Sequence, residues 1–261
     1  MITVLKEKIK NKEKLIGMYV QLTDISIGKI AGLAGYDFVW VDTEHTMLSF
    51  QDVLSHIIAI KGTGTPVIVR VPQDDLTFTK KILDAGVDGI IFPMIHDAEE
   101  ANRLIATALY PPQGERGFGP MNAIDFGFKD VVHYTATAND TLCRFIQIEH
   151  KDAIDNLDEI MKNPYIDGYI FGPNDLSGSI GILGHPFDDA VTELMQDAIQ
   201  KLHNNGKYVG IASGGYSKEV LKHWSQFHPD MLSAGADFDF IRDGARANRI
   251  QLEEIHKKGI V

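Results

Sequence analysis

A chain of 261 residues is the size of one closed α/β barrel, about 250 residues, and requires no second domain. Its 44% hydrophobic and 23% charged residues exclude a disordered or fibrous chain. A formal charge of −11 argues against nucleic-acid and anionic-membrane partners, and an anionic substrate would need a local positive centre to draw it in.

The opening MITVLKEKIKNKEK scatters lysines among short apolar pieces and lacks the apolar run of a secretory signal; no later stretch reaches membrane-spanning length. The cytoplasm is the expected compartment. Along the chain, short apolar runs alternate with longer amphipathic stretches, the pattern of βα units around a parallel sheet. Candidate strands cover 15–22, 37–44, 66–71, 89–94, 142–149, 168–172, 208–213 and 238–242. The phrases AGYDFVWVD, AGVDGIIFP, PYIDGYIFGP and AGADFDFI open the second, fourth, sixth and eighth of these as cryptic repeats. Three of the four carry a glycine suited to ending the preceding helix, and all four carry an Asp to turn the chain into the strand.

Eight such units predict a (β/α)8 TIM barrel, a single domain over 1–261 with an N-terminal helix before the first strand and a C-terminal helix after the last; a doubly wound sheet is the alternative. One stretch breaks the rhythm. From PPQGERGFGPMNAIDFGF to about residue 142 no clear element is visible, and the aromatic residues Phe118, Phe126, Phe128 and Tyr134 suggest a packed loop. Cys143, the only cysteine, lies in an apolar run and reads as a small core residue.

Chemistry in such barrels collects where strands end at their C-terminal side. There the chain places Asp42, Glu44 and His45, then Arg70, then Gln147 and Glu149, then Asn174 and Asp175, and finally Ser213 with two glycines. Charged groups ending apolar strands are costly to desolvate unless they are paired or bind a metal. Glu149 and Asp175 end adjacent candidate strands, and two carboxylates with other positions open to water and substrate suit Mg²⁺ or a similar octahedral ion. A loop salt bridge for Glu149 and a helix cap for Asp175 remain the structural alternative, and Arg70 could simply pair with Asp42 or Glu44. Gln147 has the strand parity to face the same side as Glu149.

Taken in order, GYDFVWVDTEH, VRVP, YPPQGERGFG, FIQIE and FGPNDLS resemble the HpcH/HpaI aldolase family, the class II pyruvate aldolases. The resemblance spans most of residues 15–215. It implies a lyase that cleaves a 4-hydroxy-2-oxo acid to pyruvate and an aldehyde through a pyruvate enolate, with a divalent metal (Mg²⁺, Mn²⁺ or Co²⁺) on Glu149 and Asp175. It further implies Arg70 as enolate stabiliser, His45 as base, Asp84 as the acidic group that raises the basicity of His45, Gln147, Asn174 and Asp175 at the substrate, and Asp42 and Glu44 in support. A homo-oligomer is implied too, a hexamer being one candidate state. Asp84 falls near the end of its helix, toward the opposite face of the barrel, so its contact with His45 would have to cross between subunits. Asn174 stands where the family often has a small residue, and Tyr19 where Trp or Phe is more usual. Strands seven and eight depart most from the family, which leaves the aldehyde open; Arg242 there could anchor an acidic aldehyde or form a rim salt bridge. Other metal–enolate chemistry, such as decarboxylation or a citrate-lyase-β-like thioester cleavage, and a non-catalytic ligand-binding barrel are the competing functions.

Overall fold

The computed structural model describes residues 3–257, and its eight strands pair in parallel around a closed ring, each with its sequence neighbour and the last with the first. In chain order the elements are α1 (Val4–Lys10), β1 (Leu15–Val20), α2 (Ile25–Leu33), β2 (Phe38–Asp42), α3 (Phe50–Lys61), β3 (Val67–Arg70), α4 (Leu76–Asp84), β4 (Gly89–Phe92), α5 (Ala98–Thr107), α6 (Val131–Thr141), β5 (Cys143–Ile148), α7 (Lys151–Asp155), α8 (Leu157–Ile160), β6 (Gly168–Phe171), α9 (Pro173–Ser179), α10 (Asp189–Asn204), β7 (Val209–Ala212), α11 (Lys218–Ser225), β8 (Met231–Ala236) and α12 (Asp237–Lys257). The expected (β/α)8 barrel is therefore the fold.

Two apolar layers follow from the period-two alternation of the strands. Outward residues such as Val39, Val41, Val67 and Val69 pack with the helices, while Leu15, Tyr19, Phe38, Trp40, Ile68, Ile91, Cys143, Phe145 and Ile170 fill the interior. Leu5 and Ile9 of α1 belong to the interior cluster, so the first helix stoppers the end where the strands begin. Gly17 makes room for its neighbour: a Cβ there would lie 2.3 Å from the Phe38 ring. Cys143 is fully buried as expected, and burial pushes its thiol pKa up.

A fourfold device ties the stoppered end together. Asp37, Asp88, Asp167 and Asp230 immediately precede β2, β4, β6 and β8. Each accepts a backbone N–H from the preceding odd strand, from Ile16, Val67, Arg144 and Val209 respectively, at 2.8–3.0 Å. Each also holds a lysine: Lys8, Lys61, Lys6 and Lys14 in the same order, at 2.5–3.0 Å. The repeat seen in the sequence is thus real, but its fourth copy is His228–Pro229–Asp230 and not AGADFDFI.

That shift corrects the eighth strand. The segment Phe238–Arg242 is the start of α12, and β8 precedes it. Gly35 and Gly86 end their helices in the left-handed conformation, but the corresponding position before β8 is His228 (φ 51°), which carries no glycine signal. Gly235 (φ 74°) instead sits where the β1–β8 register slips, a bulge in the strand. The stretch without clear elements also resolves, into a 3₁₀ turn over Asn122–Gly127 and α6. Of its aromatic residues only Tyr134 packs inward, edge-on to Tyr110; Phe118, Phe126 and Phe128 are exposed, contrary to the expected packed loop. No helix among the described residues is long and apolar enough to cross a membrane.

Candidate active site

The inward positions of β2, β3 and β5 change from apolar to polar as the strands reach their C-terminal ends: Phe38, Trp40, then Asp42; Ile68, then Arg70; Cys143, Phe145, then Gln147 and Glu149. The strand period therefore stacks a polar layer on the apolar interior. Above it opens a cavity of about 250 Å³, bordered by Arg70, Gln147, Glu149, Asn174, Asp175 and His45 among others.

Arg70 organises the layer. Its Nε and Nη2 donate to Asp42 Oδ1 and Oδ2 at 2.8 and 2.7 Å, its Nη1 lies 3.2 Å from Gln147 Oε1 and 2.9 Å from Glu44 Oε2, and the guanidinium rests 5.6 Å from the centre of the Trp40 ring. Burial alone would raise the Asp42 pKa, but the bonded guanidinium outweighs it and holds the carboxyl below its ordinary value. The Arg70 pKa is correspondingly raised, the hydrogen bonds and charges of Asp42 and Glu44 outweighing its burial. The pairing anticipated for Arg70 with Asp42 and Glu44 exists, yet Arg70 also faces the cavity.

Glu149 is 2% exposed, and its Oε1 accepts the Met94 backbone N–H while its Oε2 accepts from Gln147 Nε2, both at 2.7 Å. Burial, reinforced by the charges of Glu44 and Asp175, pushes its pKa up to about 8. Met94 holds φ 52°, an uncommon conformation for its type that aims the N–H at the carboxylate. Close approach is also designed in at Gly172, where a Cβ would lie 2.5 Å from Glu149 Oε2. Pro173 starts α9, which brings Asp175 into its first turn; the N-cap is Gly172 and makes no side-chain cap. Asp175 is therefore not the helix cap that the structural alternative required. Among the described residues, neither Asp175 nor Glu149 forms a salt bridge with a lysine or arginine.

Around this centre, Glu44 Oε2 is buried and off the line of any N–H despite its approach to Arg70, and burial raises the Glu44 pKa. His45 is 63% exposed, with Nε2 3.8 Å from Glu44 Oε2. Asp84 is not brought here by its own chain: at the end of α4 its Oδ1 lies 3.4 Å from Arg116 Nη2, and Arg116 also bonds Leu83 O and Tyr134 Oη and stacks on Tyr110. Arg242 is a rim residue, bridging Asp239 and Asp243 at 2.7 and 2.8 Å.

Several residues escaped the sequence reading. Met94 acts through its backbone, which no side-chain pattern reveals. Gln21 shares the inward parity of Tyr19 and donates to Asp42 Oδ2 at 2.9 Å, a position legible from the strand alone. Asp237 accepts the N–H groups of Gln21 and Leu22 at 3.0 and 2.9 Å, and Asp239 borders the cavity. Both were hidden by the misplaced eighth strand.

A model of the HpcH/HpaI aldolase/citrate lyase family matches residues 15–227. The chain is 30% identical over 241 residues to a hydroxypyruvate/pyruvate aldolase of Roseovarius nubinhibens, covering 92% of this chain and 93% of that protein. It is 34% identical over 208 residues to a 2-keto-3-deoxy-L-rhamnonate aldolase of Escherichia coli, covering 78% and 77%. A crystal structure of an HpcH/HpaI aldolase/citrate lyase family protein from Burkholderia cenocepacia superposes with a TM-score of 0.88 at 28% identity, covering 97% of this chain and 99% of that one. With its barrel, its polar layer and a match running through most of its length, the chain belongs to the HpcH/HpaI aldolase/citrate lyase family of carbon–carbon lyases.

Proposed function

We propose that the chain is a divalent-metal-dependent aldolase that cleaves a 4-hydroxy-2-oxo acid to pyruvate and an aldehyde. The observation that carries this reading is the buried carboxylate Glu149, held by two donors and facing Asp175 across a cavity that Arg70 also enters. The donor set suits a hard cation: two carboxylates without a lysine or arginine partner among the described residues, a mutually repelling acidic cluster, and Gly172 leaving the Glu149 oxygen uncovered. Among the described residues no three His, Cys, Asp or Glu side chains converge as a ligand set, so the protein would contribute two ligands and leave the other positions to water and substrate. Mg²⁺, Mn²⁺ and Co²⁺ all fit that description. When bound, such a cation supplies Lewis acidity to the carboxylate and ketone oxygens of the 2-oxo acid.

The remaining chemistry falls to the chain's own groups. In cleavage His45 takes the proton of the C4 hydroxyl, the C4 oxygen becomes the aldehyde carbonyl, the C3–C4 bond breaks, and its electron pair passes to the C2 oxygen as the enolate. Protonation at C3 completes pyruvate. Arg70, already fixed by Asp42 before substrate arrives, meets the charge developing on the C2 oxygen; a preorganised donor of this kind contributes ~3–4 kcal/mol. Gln147 anchors Glu149 and, with Asn174, borders the substrate, while Glu44 supports Arg70. Exchange of pyruvate methyl protons in D2O tests the reading: it should require added metal and be lost in Glu149→Gln with the fold intact by circular dichroism, whereas undiminished exchange in that variant would refute it.

The enzyme works as a homo-oligomer in this reading, with Asp84 orienting His45 across a subunit contact. Two features support it. Asp84 and His45 are not brought together within one chain, and the 21-residue α12 exposes Ile241, which borders a 290 Å³ groove with Ile27, Ile30 and Tyr36, and farther along Ile250, Leu252 and Ile255. Light scattering should show an oligomer, and a monomer at micromolar concentration would remove the cross-subunit role. Thioester cleavage, the other chemistry in the family's description, is disfavoured because Arg242, a cation of the rim, is spent on Asp239 and Asp243.

A further inference from the structure

The cavity has two unlike sides. Arg70, Gln147, Glu149 and Asp175 form one; the other is built by the ends of β7, β8 and β1, through Ala212, Gly214, Ala236, Asp239, Gln21 and Tyr19. On this second side the charged group bordering the cavity is Asp239. Arg242, the cation closest in sequence, is not among the cavity's borders and is held by Asp239 and Asp243. A carboxylate entering here would meet no uncommitted cation among the described residues, and Asp239, itself paired with Arg242, would offer it only acceptor oxygens, in a chain of net charge −11.

Neutral hydrogen-bonding groups are by contrast available. The Asn174 amide makes no side-chain hydrogen bond among the described residues, and its Nδ2 lies 3.2 Å from the point a Cβ on Gly214 would occupy, so the bare backbone of β7's end leaves it space to face the cavity. Gln21 spends its Nε2 on Asp42 and keeps its Oε1, and Asp239 Oδ2 has only a long 3.3 Å contact with Ala236 N. One amide with both functions open, one amide oxygen and one carboxylate match the donor and acceptor faces of hydroxyl groups. The volume, below the 300–1,000 Å³ range of sites for drug-sized molecules, limits the partner to a few carbons.

Resting on the aldolase reading, we propose that the second half-site selects short, neutral, hydroxylated aldehydes over aldehydes bearing a carboxylate, with Asn174 reading the hydroxyl beside the reacting carbon and Asp239 rejecting the acid. The test is aldol addition of pyruvate to glyceraldehyde, propionaldehyde and succinic semialdehyde, with methyl-proton exchange of pyruvate alone measured in parallel. Wild type should prefer glyceraldehyde to both others in kcat/KM. Asn174→Ala should cut the glyceraldehyde-to-propionaldehyde ratio about tenfold, the size of one hydrogen bond. Asp239→Asn, which removes the acid and releases Arg242 from one partner, should raise succinic semialdehyde relative to glyceraldehyde. A wild-type preference for succinic semialdehyde, or ratios unmoved in both variants, would overturn the proposal while exchange persisted. Absence of exchange in wild type with metal would instead overturn the aldolase reading, and this proposal with it.

Discussion

Replacing Gly172 with Ala adds a single methyl group at the most crowded point of the site. The new Cβ would stand 2.5 Å from Glu149 Oε2, 3.0 Å from its Cβ and 3.5 Å from Gln147 Nε2. The backbone of Gly172, at φ −109°, accepts alanine, so the strain falls on the carboxylate. Glu149 must then give up its contact with Gln147, with Met94 N–H or with both; hydrogen bonds to a charged group are worth about 1.5–3 kcal/mol each. Overpacking costs ~1–3 kcal/mol in stability, a fall of roughly 2–12 °C in Tm for a domain this large. A displacement near 1 Å at a positioned group costs about 100-fold in rate. Gly17→Ala is the control. Its Cβ meets the Phe38 ring at 2.3 Å, so it should lose comparable stability while folded protein keeps its exchange rate. Melting curves and NMR of pyruvate methyl exchange on both variants read the two quantities separately. Wild-type exchange in Gly172→Ala would refute the idea that this glycine exists to seat Glu149.

At the stoppered end, Asp167→Ala strips Lys6 of its 2.5 Å partner while Lys6 remains 5% exposed against Leu142 O, and should cost about 3–5 kcal/mol by leaving a buried charge unpaired. Chemical denaturation measures the cost; exchange by the folded fraction should be unaltered. Because the folded-state pKa of Asp42 lies below its unfolded value, its pair with Arg70 contributes in full above about pH 4 and is lost as pH falls through the depressed value. Asp42→Asn should flatten the acid limb of stability against pH, and an unchanged limb would assign that loss to other carboxylates.

The sequence carried most of the site because one rule, period two along a strand, places Asp42, Arg70, Gln147 and Glu149 on the same inner face, while His45 and Asp175 follow on strand ends and the family motifs supplied only their expected roles. What it did not carry lies where the backbone speaks instead of side chains. The Met94 N–H depends on a left-handed residue with no glycine to announce it, and His228 hides the last strand in the same way. With β8 drawn seven residues too late, Asp239 was read inside a strand instead of at the cavity's edge, and Asp237 as a turn into that strand instead of the acceptor for the Gln21 and Leu22 N–H groups. Asp84 ends α4 beside Arg116, a helix end whose position follows from the βα rhythm. The exposure of Phe118, Phe126 and Phe128 was misjudged because aromaticity alone does not tell a core from an outer face.

The aspartate collar has a consequence for when the molecule closes. Three of its four lysines, Lys6, Lys8 and Lys14, lie within the first fourteen residues, yet Lys14 and the backbone N–H of Leu15 find their partners on Asp230, 216 and 215 residues later. Contacts of such separation carry the largest loop-closure cost in the barrel and can form only once the chain has been made as far as Asp230. During synthesis, a chain that has not yet extended past Asp230 holds β1 and β7 as unpaired edges and has no partner for Lys14. Lys8 meets Asp37 and Lys6 meets Asp167 from segments made earlier, whereas sealing of the ring, with Lys14 and Leu15 on Asp230, waits for the last strand.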